Sequence, residues 1–134
     1  MIFVDAGVFY ARLALGDEHH REALDFLRQN REPRLTTTAV VYEAHALLLR
    51  IDRGAAPAQL ARRFLDEVEG GMTRLVHVSR DDHRRAVELI RAHVDKTYSL
   101  CDAVSFVVME RLRIGRAASF DHHFRQYGRF EVLP

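Results

Sequence analysis

A chain of 134 residues, 48% of them hydrophobic, can bury one sizeable core without staples, so a single domain spanning 1–134 is expected. The single cysteine, Cys101, excludes an intrachain disulfide and a thiolate zinc cluster, and no apolar run approaches the roughly 20 residues of a membrane span. A net charge of +1 is too weak to announce a nucleic-acid partner, although every basic residue except Lys96 is Arg, whose fork suits phosphate.

The opening MIFVD lacks the basic start and long apolar stretch of a signal peptide, so a soluble, cytoplasmic protein without membrane contact is expected. Ile2 to Val4 reads as a buried strand ending at Asp5, and Gly7 starts a turn into VFYARLAL. Asp17 and Glu18 open a second helix, which Pro33 ends. Arg34 to Thr37 suit a second strand. Thr38 can cap a helix from Ala39 to about Asp52, ended by Gly54. Pro57 fits the first turn of the next helix, which stops at Gly70 and Gly71. Thr73 to Val78 alternates as a third strand. Ser79 with Asp82 signals a capping box for a helix to about Val94. A greasy helix runs from Leu100 to about Arg113. Arg116 to Phe120 is a fourth strand, His122 to Tyr127 a short helix, and Phe130 to Leu133 a fifth strand.

Strands alternating with helices predict an α/β layer fold with a mainly parallel sheet. Ligands of such sheets bind beyond the carboxyl ends of the strands, at a topological switch point. Four acids stand out against that rule. Asp5 and Asp121 end strands, Asp102 lies in the first turn of the greasy helix, and Glu43 sits one turn into its own helix. Each has a structural explanation. Asp102 with Ser99 matches a capping pattern, Asp121 can cap the short helix after it, Glu43 can fringe an apolar stripe, and Asp5 can pair with an Arg.

Taken together those explanations weaken. Acids at strand ends and helix starts would converge at one sheet edge, where they repel and their pKa values rise unless a cation neutralises them. Mg²⁺ or Mn²⁺ suits a site of Asp and Glu, and no arrangement of His and Cys competes. Such an ion polarises a phosphoryl oxygen and lowers the pKa of a bound water, which is the chemistry of phosphodiester hydrolysis. A shallow acidic cleft rimmed by Arg suits a polymer backbone.

The ordered set resembles the PIN-domain family and, within it, toxins of the VapC type. The resemblance covers the whole chain. It rests on the strand ending in Asp5, Glu43 early in the third helix, the S-L-C-D-A run with Asp102, the S-F-D-H-H-F run with Asp121, and the closing F-E-V-L-P. It implies a three-layer sandwich around a five-stranded parallel sheet. It also implies divalent-metal-dependent endoribonuclease activity, a homodimer, and a cognate antitoxin that blocks the acidic groove. Asp5, Asp102 and Asp121 are assigned to the metal, with Glu43 as a further ligand or the group orienting the attacking water. Ser119 and Ser99 are candidates to steady those carboxylates. The family usually has hydroxyl residues directly after the first Asp, where this chain has Ala6 and Gly7.

Other signals are weaker. The adjacent pairs His19–His20 and His122–His123 read as surface histidines, since neighbours on a helix point about 100° apart. His122, Arg113 and Arg116 are candidate RNA contacts. Cys101 reads as a small buried hydrophobe. The apolar excess of Val8, Phe9, Tyr10, Leu13 and Leu15 suggests a dimer or antitoxin contact. The competing functions are a PIN-fold nuclease of RNA processing or DNA cleavage, and a binding module whose acids only cap helices.

Overall fold

Ile2–Val4 forms β1, buried on both faces as its unbroken apolar run requires. The structure, a computed structural model, describes residues 1–52 and 56–134. After β1 come α1 (Ala6–Leu13), α2 (His20–Gln29), β2 (Arg34–Thr37), α3 (Thr38–Leu48), α4 (Pro57–Glu69), β3 (Arg74–Val76), α5 (Arg80–Ala92), α6 (Leu100–Leu112), β4 (Arg116–Ala118), α7 (His122–Tyr127) and β5 (Glu131–Leu133). The sheet is five-stranded in the order β3-β2-β1-β4-β5, and every pairing is parallel. The three-layer α/β expectation holds. Right-handed crossovers place α1 to α4 over one face and α5 to α7 over the other.

That strand order fixes where the site lies. From β1 the chain winds outward one way to β2 and β3, then returns across to β4 and on to β5. The reversal makes the gap beyond the carboxyl ends of β1 and β4 the topological switch point. Asp5 follows β1 there, and Ser119 to Asp121 follow β4. Phe3 pairs in register with Ala117, and the Asp5 amide donates to the Ala118 carbonyl at 3.0 Å, so the two strand ends emerge side by side.

Local signals set most boundaries. Pro57 opens α4 and Gly70 closes it. Both α5 and α6 begin with complete Ser-x-x-Asp capping boxes. The expected start of α2 at Asp17 is replaced by a turn in which the Asp17 carboxylate accepts the His19 amide at 2.9 Å, and the helix begins at His20. Thr37, not Thr38, caps α3. The Thr38 hydroxyl accepts the Val78 amide instead, tying α3 to the segment after β3. Helix α3 ends at Leu48, and the expected stop at Gly54 lies outside the described residues. The third and fourth strands are shorter than expected.

The apolar excess around α1 is not a free surface. Val8, Phe9 and Leu13 are buried in the main core, because α1 packs against α2 and α3 as well as the sheet. Leu15, past the helix end, is the exposed member at 78%. Among the described residues, no helix is long and apolar enough to cross a membrane.

Candidate active site

Asp5 sits at the N-cap position of α1, yet its side chain makes no cap hydrogen bond. It is only 5% exposed. The Ser119 hydroxyl donates to its Oδ2 at 2.9 Å, and the same hydroxyl accepts the Asp121 amide at 3.0 Å. Ser119 is itself fully buried, so it pins the end of β1 to the turn after β4. Burial pushes the Asp5 carboxyl up to about 7; the Ser119 hydroxyl and the Ala6 amide oppose that rise, while the charges of Glu43 and Asp102 add to it.

Asp102 is both a cap and something more. Its Oδ2 accepts the Ser99 amide at 2.9 Å while its own amide donates to the Ser99 hydroxyl at 3.0 Å. Burial raises its pKa, the Ser99 amide opposes this, and the Asp121 charge raises it further. The carboxyl of Glu43 is likewise raised, first by loss of water around it and then by the charges of Asp102 and Asp121, although the residue as a whole is exposed. Asp121 caps α7 by accepting the His123 amide on Oδ1 at 2.9 Å. All four acids thus lie at one sheet edge within electrostatic reach of one another. Among the described residues, none of them pairs with an Arg or Lys. The Arg partner considered for Asp5 is not there.

Cys101 lies inside this cluster. Desolvation and the neighbouring charges of Glu43 and Asp5 push its thiol up, so it remains a neutral group beside the acids. Ser119, just past the end of β4, places a hydroxyl on the Asp5 carboxylate. Nor is Gly7 forced by crowding, since a Cβ there would lie 3.9 Å from Asp5 Oδ2.

Two expectations fail on histidine. His123 is not a surface residue; its side chain is 13% exposed. Its Nδ1 lies 3.0 Å from Asp102 Oδ2 and 3.3 Å from Asp121 Oδ1, and the Thr97 hydroxyl is 3.2 Å from Nε2. Nδ1 thus faces the two carboxylates while Nε2 faces the Thr97 hydroxyl. Nor do the acids alone supply ligand spacing. Among the described residues, the one group of three with ligand atoms all within 4.8 Å of one another is Asp121, His122 and His123. Among the described residues, no three carboxylates meet that spacing.

The expected Arg contacts lie elsewhere. Arg116 opens β4 at the opposite end of the strand from Asp121 and is held by Glu32 and Glu131. Arg113 is the left-handed C-cap of α6, about 16 Å along the helix from Asp102. Neither reaches the acidic edge. His122 stands beside it and is 79% exposed.

Residues 2–130 match the PIN domain. The whole chain aligns with 99% of a 23S rRNA-specific endonuclease, VapC20 of Mycobacterium tuberculosis, at 34% identity. A VapC ribonuclease of Archaeoglobus fulgidus is 29% identical over 90% of this chain and 77% of its own. The crystal structure of the mycobacterial VapC20, described as a toxin that cleaves the sarcin-ricin loop, superposes with a TM-score of 0.90 over all of both chains at 29% identity. A toxin–antitoxin complex from Klebsiella pneumoniae shares the fold at a TM-score of 0.70 and 16% identity, covering 100% of this chain and 97% of its own. On the sheet order, the acidic switch point and these matches, the chain belongs to the PIN-domain family.

Proposed function

We propose that this chain is a divalent-metal-dependent endoribonuclease and the toxin of a toxin–antitoxin pair. The observation that carries the reading is Asp5: a buried carboxylate at the switch point, raised to about 7, facing further acids and no cationic side chain. A buried carboxylate so placed is costly unless a cation joins it. The named relatives are ribonucleases over nearly the whole chain, which supports the same reading.

Asp5, Asp102 and Asp121 would hold Mg²⁺ or Mn²⁺, and carboxylates spaced apart suit an ion that keeps several waters. When bound, the ion supplies charge neutralisation for a phosphodiester under attack. The remaining work falls to side chains on the page. Ser119 holds Asp5 through Oδ2 and Ser99 holds Asp102, so both carboxylates are aimed before substrate arrives. Glu43, with its pKa raised, can accept a proton from the attacking water, or serve as a further ligand. A homodimer and a cognate antitoxin covering the acidic edge belong to the same proposal.

The test is cleavage of intact ribosomes and purified 23S rRNA, the RNA named for the mycobacterial relative, with and without Mg²⁺ or Mn²⁺. Wild-type protein should cleave only with the ion, and Asp5→Asn should not cleave. Expression should arrest growth for wild type and not for Asp102→Asn. Equal cleavage in chelator would refute the metal dependence. Cutting of DNA with RNA left intact would move the chain to the DNA-directed reading.

A further inference from the structure

The tightest ligand-spaced group in the described molecule is not the carboxylate set that the function uses. It is Asp121, His122 and His123, with Asp102 beside them. We infer that Asp121, His122 and His123 form a site for a divalent transition-metal ion of the Zn²⁺ or Co²⁺ class. The proposal shares Asp121 with the Mg²⁺ reading and deepens it by assigning a second class of ion to one flank of the same edge.

Geometry comes first. Asp121 Oδ1 lies 3.5 Å from His122 Nδ1 and 3.3 Å from His123 Nδ1. A shell with bonds of about 2.1 Å has neighbouring ligands about 3.0 Å apart if octahedral and about 3.4 Å if tetrahedral. The measured separations match those edges. The two rings also lie together, with centroids 4.2 Å apart, although they belong to adjacent residues. The reason is local. Asp121 turns back to cap α7 through the His123 amide, and its Oδ1 lies within 3.5 Å of both imidazole Nδ1 atoms.

Donor chemistry comes second. Two imidazole nitrogens with one carboxylate form a borderline-soft set, which favours late first-row ions over Mg²⁺. His123 is oriented as metal-binding histidines are: its far nitrogen is engaged, here by the Thr97 hydroxyl, and the near nitrogen faces the acids. The Tyr98 ring meets it edge-on at 5.5 Å and limits its rotation. His122 is solvent-facing, so the site is open on one side rather than a closed structural clasp.

Because Asp121 serves both ions, Zn²⁺ here should suppress Mg²⁺-supported cleavage. The experiment uses the full chain stripped with chelator. Zn²⁺ is titrated calorimetrically, and Co²⁺ is followed by its visible absorption. Wild type should bind one equivalent of Zn²⁺ tightly and give a Co²⁺ spectrum with nitrogen ligation. His122→Ala changes a solvent-facing side chain, so it tests the site in a folded protein. It should weaken Zn²⁺ binding by at least about 10-fold. His123→Asn should do the same, and its melting curve reports whether it folds.

Asp5→Asn should leave Zn²⁺ affinity unchanged while removing any Mg²⁺ effect on melting. Unchanged Zn²⁺ affinity in His122→Ala would overturn the inference. So would a loss of Zn²⁺ binding in Asp5→Asn, which would mean a single shared site. If instead Asp5→Asn leaves the Mg²⁺ response intact while His122→Ala weakens Zn²⁺, the Mg²⁺ reading falls and the zinc site stands.

Discussion

The chain uses one local device twice, with opposite results. Ser79 with Asp82 opens α5, and Ser99 with Asp102 opens α6, in the same reciprocal box with the same 3.0 Å bond from acid amide to Ser hydroxyl. Asp82 is then met by Arg111, which donates to both of its oxygens at 2.8 and 2.9 Å. Burial would raise its pKa, but the Arg111 fork and Ser79 outweigh it and hold the carboxyl below its ordinary range. Asp102 is met by Asp121 and by a single imidazole, and its carboxyl is raised. Capping geometry therefore does not distinguish an acid paired with a cation from one left facing other acids. The third partner does.

The sharpest way to break this comparison is to neutralise each acid. Asp102→Asn should reduce RNA cleavage by at least about 100-fold, in line with loss of a group stabilising transition-state charge. Its stability without metal should hold or improve, because a repelled charge has gone. Asp82→Asn should cleave at near the wild-type rate. A comparable loss of cleavage in Asp82→Asn would show that both boxes act only through folding.

Stability should reverse the order. Asp82→Ala leaves the exposed Arg111 without its partner and removes a cap, and should cost about 1–2 kcal/mol in urea unfolding. pH separates the two kinds of acid by sign. For Asp82, with a lowered pKa, stabilisation is full above the ordinary carboxylate value of 3.8 and is lost as pH falls through and below it. For Asp5 the sign is opposite. The unfolded chain ionises it near 3.8 and the folded chain near 7, so metal-free stability should fall as pH rises between those values, by on the order of 4 kcal/mol at most. That fall should vanish in Asp5→Asn and shrink when Mg²⁺ is added.

The smallest effect lies in the serines. Ser79→Ala and Ser99→Ala should each cost about 1 kcal/mol. Only the second should also weaken Mg²⁺ binding, read as a smaller rise in melting temperature.

How much of this was legible follows the range of each signal. Pro57, Gly70 and the two Ser-x-x-Asp boxes act within one helical turn, so the sequence displays them. Asp5 was legible as a strand end because an acid closing a buried apolar run is costly wherever the chain goes. Other features depend on partners far along the chain. The burial of His123 comes from Thr97 and Tyr98 on the segment before α6, and Arg116 is taken up by Glu32, 84 residues away. Nothing in DHHF or RIGRA indicates either. The shift of the α3 cap from Thr38 to Thr37 is of the same kind, since the amide that occupies Thr38 belongs to Val78.

The strand order has a consequence for biosynthesis. β1 is made first but lies between β2 and β4, and the hydroxyl that holds Asp5 comes from a residue 114 positions later. A nascent chain halted anywhere before that point carries Asp5 and Glu43 without Asp121 to face them. The acidic edge therefore closes through contacts between residues far apart in the chain, and it forms only after Ser119 and Asp121 have been made.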